Sequence, residues 1–404
     1  ASIFTIDTTL SPDASLAAVN ELIAEELDRF LRDGPGEQEL ERARNKINAS
    51  VIRGLERVGG FYGKATTLAQ GQLYDGNPAF FKTALSWINH ASPAEVRDAA
   101  RRWLASGRYQ LDVLPYEDFQ PLEAGVDRSA GLPAVGELPD IAFPEVQRTS
   151  LENGLNVVLT QRSAVPVVLT ALQFDAGFAA DHGIRSGTAS FTLAMMDEST
   201  RSRSALEIDA EAERLGAEIS TASTLDSSRA TLSALSDQLQ PSLELFADVV
   251  RNPAFASDEM ERLRKRWLAS IEQEKNDPVQ LALRTLPPLI YGQGHAYGTP
   301  FTGSGTVESI SAISRDELIE FHTNWSRPDN ATLFVVGDTS MDEILPLLEK
   351  EFGDWKAPDA DLPQKNIAEA ELPDQPRVIS IDRPDAPQSL ILAGHLAPST
   401  RADN

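Results

Sequence analysis

Cysteine is absent from this chain of 404 residues. That excludes disulfides, thiolate ligands and cysteine nucleophiles, and it removes the residue that most readily separates oxidising from reducing compartments. Long apolar runs are missing too, since no stretch approaches the roughly 18 residues a helix needs to cross a bilayer. The start, Ala1 to Thr8, lacks the basic and apolar regions of a signal peptide. It reads as a strand, so the chain is expected to be a fragment or a processed product. Basic residues are outnumbered, 36 Lys and Arg against 61 Asp and Glu, and the formal charge of −25 repels phosphate backbones. This argues against nucleic acid as a partner, and the excess acid reads as solvated surface. Histidine is scarce, and His90, His182, His295, His322 and His395 never fall three or four residues apart. No helix face therefore carries a local metal pair, and these side chains read as surface or core residues. Gly292-Gln-Gly294 and Gly303-Ser-Gly305 lack the frame of a phosphate loop and read as turns. No G-x-S-x-G nucleophile elbow occurs either.

What the chain does have is an internal repeat. Glu39-Leu-Glu-Arg-Ala-Arg44 and Ala49-Ser-Val51 align without gaps on Glu259-Met-Glu-Arg-Leu-Arg264 and Ala269-Ser-Ile271. Further along, Ile88, Ser92, Glu95, Trp103, Leu111 and Val113 align on Ile310, Ser314, Glu317, Trp325, Leu333 and Val335. Leu16, Val19, Leu22, Ile23, Leu27, Phe30 and Leu31 recur at helical spacing between Ser11-Pro12 and Gly34-Pro35. Ser92-Pro-Ala-Glu95 and Ser314-Arg-Asp-Glu317 predict capping boxes at helix starts. Tyr109 to Leu114 and Ala331 to Val336 predict closing strands. Trp87, Trp103, Trp267 and Trp325 read as core anchors.

The stretch from Gln120 to Pro144 is rich in Pro and Gly with little periodicity and reads as an extended linker. A second, acidic boundary runs from Ala357 to Pro376, after which Arg377 to Asp382 and Gln388 to Ala393 predict two more strands.

One helix-like stretch is the most informative: Gly187-Thr-Ala-Ser-Phe-Thr-Leu-Ala-Met-Met-Asp-Glu-Ser-Thr200. It has the frame on which inverted zincins carry H-x-x-E-H, where two His at i and i+4 reach one Zn²⁺ and the Glu is general base for the bound water. Here those positions are Ser190, Leu193 and Ala194. A hydroxyl, an isobutyl and a methyl group cannot make a zinc coordination sphere. Asp197-Glu198 adjoin the motif, point to different helix faces and read as solvated.

The flanking Gly-x-Ala, Met195-Met196, Ser199-Thr200 and the earlier run Asn153-Gly-Leu-Asn-Val-Val-Leu159 resemble the pitrilysin/insulinase family of zinc metallopeptidases. Arg251-Asn-Pro253, Gly292 to Pro300, Val335-Val-Gly-Asp338 and Phe352-Gly-Asp-Trp355 extend the resemblance over nearly the whole chain. In that family the third zinc ligand is a Glu that opens a run on a later helix. The matching run, Ser270-Ile-Glu-Gln-Glu-Lys-Asn-Asp-Pro278, opens on Ser270. The third ligand is then missing as well, unless Glu272 or Glu274 takes its place in a shifted register.

The resemblance implies an α+β fold of repeated halves, each an antiparallel sheet covered by helices. On that basis the expected organisation is the C-terminal part of a first peptidase-like unit over 1–118 and a linker over 119–146. A degenerate, inactive unit follows over 147–356, then a linker over 357–376 and the start of a further domain over 377–404. Residues 377–394 are expected to complete the first unit's sheet, because the missing pieces are complementary. The implied function is that of the non-catalytic portion of a zinc metallopeptidase. It would enclose and bind peptide substrate for an H-x-x-E-H unit of the same or a partner chain, with zinc in that unit and none here. The alternative is a stand-alone inactive partner subunit or interaction protein; a third reading is an enzyme with a rebuilt metal site. A periplasmic location in a Gram-negative bacterium would fit the two-unit members of the family.

Overall fold

The computed structural model describes residues 4–10, 15–60, 63–105, 107, 109–112, 144–371, 375–383 and 389–397. Most of the expected linker 119–146 lies outside them. The chain divides into two compact units, Ala1–Gln120 and Pro121–Asn404.

The first unit is helical among its described residues: α1 (Leu16–Asp33), α2 (Glu37–Glu56), α3 (Lys64–Asp75), α4 (Phe80–His90) and α5 (Pro93–Leu104). Ser15 caps α1, accepting from the Ala18 N–H, and Gly34 ends it at φ 75°, a conformation that favours glycine. Ser92 and Glu95 form the capping box of α5, with Ser92 N–H donating to Glu95 Oε2 at 2.8 Å and Glu95 N–H to Ser92 Oγ at 3.3 Å. Arg44 on α2 donates to the carbonyls of Ile88 and Ala91 at the end of α4.

The second unit holds the sheet. Its strands are β1 (Gln147–Ser150), β2 (Asn156–Gln161), β3 (Val167–Phe174), β4 (Glu218–Ser223), β5 (Ser228–Leu235) and β6 (Ala331–Gly337), in the order β1-β2-β6-β3-β5-β4. The class is α+β, but the sheet is mixed, because β2 and β6 run parallel while the other pairs are antiparallel. The long excursion between β2 and β6 permits this, since a parallel pair needs a crossover rather than a tight turn. Its helices are α6 (Thr188–Met195), α7 (Ala205–Leu215), α8 (Leu239–Arg251), α9 (Ser257–Asn276), α10 (Pro278–Tyr291), α11 (Val307–Ala312), α12 (Arg315–Trp325) and α13 (Met341–Phe352).

Alternation along the strands builds the main core. Val157 and Leu159, Val168 and Leu172, Ala230 and Leu232, and Leu333 and Val335 are buried, whereas Leu169, Phe334 and Val336 face outward. Phe174, Phe246, Phe352 and Trp355 meet edge-on or tilted at one end of that core. Asn153 reaches into the same corner, its Nδ2 donating to the Phe352 and Trp355 carbonyls at 2.7 and 2.9 Å. Two separate stretches of the sequence resemblance thus meet in one hydrogen-bonded corner. A second cluster of Phe191, Met195, Phe255, Met260, Leu263, Ile271, Ile310, Ile313 and Leu318 lies among α6, α9, α11 and α12.

The repeat is physical. Arg264, aligned with Arg44, donates to the carbonyls of Ile310 and Ile313, and Ile310 is the partner of Ile88 in the alignment. Ser314 and Glu317 repeat the capping box of Ser92 and Glu95, again at 2.8 and 3.3 Å.

Several strand expectations fail. Among the described residues, 4–10, 109–112, 377–383 and 389–397 belong to no strand, and the ladders formed involve β1 to β6 only. A strand's N–H and C=O groups need a partner strand or water, and these segments remain solvated: Val378 is 97 %, Ile391 90 % and Tyr109 88 % exposed. Trp87 and Trp103 are also exposed rather than core anchors, while Trp325 is buried as expected. No sheet exists in the first unit's described residues for those rings to pack on.

Candidate functional site

The site is α6 and what surrounds it. The helix starts without a local side-chain cap, at Gly187 with φ 93°. A Cβ at Gly187 would lie 2.8 Å from Ile310 Cδ1 and 3.1 Å from Gly305 Cα, so the position requires glycine on two counts. The cap comes instead from Asp181, in a short 3-10 turn over Phe178–Asp181. Its carboxylate oxygens accept from the N–H groups of Gly187 at 2.7 Å and Ala189 at 2.8 Å. Burial raises its pKa to about 7, against the lowering effect of these backbone donors. Sequence reasoning missed Asp181, because a cap six residues upstream and across a turn leaves no capping-box spacing.

The motif positions occupy four different surroundings. Ser190 is half-buried beneath a loop over Phe301–Thr306; a Cβ on Gly303 would fall 2.9 Å from Ser190 Oγ and 2.8 Å from the Phe178 ring. Leu193 is 1 % exposed within the main core. Ala194 packs against the second cluster. Ser270 on α9 is exposed, and its neighbour Ile271 is the fully buried residue. The C-terminal half of α6 is fastened to the sheet by Thr221 of β4, whose hydroxyl donates to the Leu193 carbonyl at 2.7 Å.

The loop over Ser190 is held down on its far side. Trp267 Nε1 donates to the Ser304 carbonyl at 2.9 Å, and Arg284 donates to Ser304 Oγ and the Gly305 carbonyl, both at 2.6 Å. Glu274 pairs with Arg284 at 2.6 Å and accepts from Ser304 Oγ at 2.7 Å. Glu272 pairs with Lys275 at 2.7 Å on the exposed face of α9. Neither glutamate is therefore available as a third ligand: one braces the loop and the other lies at the surface. Glu198 pairs with Arg262 and Arg266 of α9 rather than standing solvated. Asp197 has its pKa raised to about 6, chiefly by burial.

Zinc, which the resemblance implies for the family, does not fit these residues. Ser190 carries a hydroxyl against a glycine backbone, and Leu193 and Ala194 are apolar packing elements. Among the described residues no group of three or more His, Cys, Asp or Glu side chains is arranged to hold a metal ion. No described helix is long and apolar enough to cross a membrane.

Comparison with known proteins places this geometry. Residues 156–297 match the family model described as insulinase, peptidase family M16, and residues 312–403 match the model of the peptidase M16 inactive domain. Over 235 residues the chain is 29 % identical to the β subunit of the mitochondrial-processing peptidase of Rattus norvegicus, covering 58 % of this chain and 47 % of that protein. It is 28 % identical over 208 residues to an uncharacterized zinc protease of Mycobacterium leprae, covering 52 % of this chain and 46 % of the other. The chain thus spans about half the length of these curated relatives. Among solved structures, a peptidase M16 inactive domain from Pseudomonas fluorescens superposes with a TM-score of 0.52 at 29 % identity, covering 57 % of this chain and 54 % of that one. A protease from Helicobacter pylori shares the fold, with a TM-score of 0.51 at 22 % identity over 56 % of this chain and 54 % of that one. Two successive family models, these relatives and the shared fold carry one conclusion: the chain belongs to the insulinase family of peptidases, family M16.

Proposed function

We propose that this chain is the non-catalytic portion of an M16 zinc metallopeptidase, enclosing and binding peptide for cleavage by an H-x-x-E-H unit outside it. One observation carries the reading: the three motif positions hold Ser190, Leu193 and Ala194, and the first of them lies beneath the Gly303 loop. The zinc belongs to the other unit. Support for peptide binding comes from β4, which stands at the edge of the sheet and, among the described residues, pairs with β5 alone. An extended peptide can add to such an edge through its main-chain hydrogen bonds. In this reading residues 147–356 are the inactive unit and 1–118 the end of a preceding one, with linkers over 119–146 and 357–376 and a further domain starting at 377.

A second reading, a separate inactive partner subunit, is favoured by the rat relative, which is named as a subunit of a peptidase. Both readings make the same prediction for the purified chain. After dialysis, elemental analysis should find no stoichiometric zinc, and a quenched fluorogenic peptide should bind without being cleaved. One zinc retained per chain would overturn the assignment of Ser190, Leu193, Ala194 and Ser270. Restored cleavage on adding a separately expressed H-x-x-E-H member of the family would select the partner-subunit reading.

A further inference from the structure

A cavity of about 210 Å³ opens between the end of α8, the turn before α9 and one face of α12. Its lining holds Arg201, Arg251, Arg315 and His322, with Phe255 and Ile319 among its apolar walls and no carboxylate. Three guanidinium groups around one space repel one another unless something anionic lies between them. In a chain with a formal charge of −25 such a concentration is not a product of composition.

The arginines are incompletely paired. Arg201 is exposed, and it makes no ion pair or side-chain hydrogen bond among the described residues; its backbone N–H donates to the Asn252 carbonyl at 3.0 Å. Arg315 donates from Nε to the Phe255 carbonyl at 2.7 Å and from one terminal nitrogen to the Ala254 carbonyl at 3.0 Å. That fixes its plane while leaving the other terminal nitrogen free to donate. Arg251 is braced by the Glu351 carbonyl and by Asp354 at 2.7 Å. Its Nε–H is buried without an acceptor, a state that is unfavourable for a buried polar group. Phe255, whose carbonyl positions Arg315, is the one non-glycine residue held at positive φ among the described residues, at 47°. Such backbone is found where surrounding structure over-determines it, often at ligand clamps. His322 donates from Nε2 to the Val250 carbonyl at 2.8 Å, and burial lowers its pKa, so it is a neutral wall rather than a fourth cation.

We propose that this cavity binds a small organic oxyanion, a carboxylate or phosphate group on a short apolar stem, gripped by Arg201 and Arg315 with the stem against Phe255 and Ile319. The site is independent of the degenerate motif and does not rest on the proposed peptidase role. Guanidinium is the side chain suited to planar, two-point recognition of such groups. The volume is below that of most drug-sized pockets, which suits a small acid.

Isothermal titration calorimetry at constant ionic strength, using phenyl phosphate and benzoate as probes on the full chain, tests this. At least one probe should bind at one site per chain. Arg201→Gln should weaken it roughly tenfold, the loss expected for a charge-assisted hydrogen bond. The tighter probe identifies the headgroup. Arg229→Gln, an exposed arginine elsewhere whose partner is Gln173, is the control and should bind as the parent does. Heat from neither probe in the parent chain, or equal weakening by both substitutions, would overturn the proposal. The second result would reveal general charge attraction instead of a site. Retained melting temperature in Arg201→Gln separates loss of binding from loss of fold.

Discussion

Gly303 sits so close to Ser190 that the Cβ it lacks would fall 2.9 Å from the Ser190 hydroxyl oxygen. The first motif position is thus roofed by backbone, and the roof is anchored through Trp267, Arg284 and Glu274. Growing this side chain meets the loop before it meets a metal. Ser190→His is expected to lower stability by about 1–3 kcal/mol, the usual cost of overpacking, and to confer no zinc retention. Denaturant unfolding and zinc analysis after dialysis check the two halves of that statement.

Asp181 makes the stability of α6 depend on pH. Its folded pKa is raised to about 7, while an unfolded Asp titrates near about 3.9. Its contribution is therefore fully present below the unfolded value and is lost as pH rises through about 7. Asp181→Asn should remove that slope. Melting temperatures of the two proteins, compared across this window, should converge or cross as pH rises. Parallel curves would mean that the carboxyl does not titrate there.

Arg264 lies over the Phe191 ring at 5.8 Å and donates to two carbonyls, those of Ile310 and Ile313. A lysine retains the charge and loses the planar fork. Arg264→Lys is expected to cost about 1–2 kcal/mol and Arg264→Ala about 2–4 kcal/mol, because carbonyls are left unpaired in a partly buried place. Hydrogen exchange should report the loss first at α11 and the start of α12. Arg44→Lys should produce the corresponding local loss at the end of α4.

Asn153 closes the corner between β1 and β2 onto the end of α13. It donates to Phe352 and Trp355, and its Oδ1 accepts from the Leu155 N–H at 3.1 Å. Asn153→Ala should destabilise the second unit by about 2–3 kcal/mol through these lost bonds. The accompanying sign is a change in Trp355 fluorescence before global unfolding.

The repeat was legible because residue types recur at nearly constant offsets, 220 residues for the helix that carries each arginine (264 − 44) and 222 for the segment it bonds to (310 − 88). Capping boxes were legible for the same reason, since Ser and Glu three residues apart define both bonds. The strands expected over 109–114 and 377–382 are absent among the described residues, because alternation tells which side of a strand is apolar, not whether a neighbour exists to pair with it. Trp87 and Trp103 were misjudged alongside them, as an aromatic side chain is a core anchor only where a second layer covers it. In the site, the identities at 190, 193, 194 and 270 could be read directly, but their divergent surroundings could not. The loop over Ser190 arrives from more than a hundred residues away, and nothing local to the motif announces it. Asp181 and the arginine cavity belong to the same class, assembled by contacts that leave no spacing in the chain.

The open edge of β4 has a further consequence. Its sequence, Glu-Ile-Ser-Thr-Ala-Ser, is polar at most positions and begins with a carboxylate. An edge of that kind offers main-chain hydrogen bonds while discouraging two identical molecules from zipping together, because their glutamates and hydrated hydroxyls would be forced into register. The same strand can thus stay receptive to a transient foreign chain and resist self-polymerisation, so the protein should remain dispersed at concentrations where an apolar edge would seed fibres.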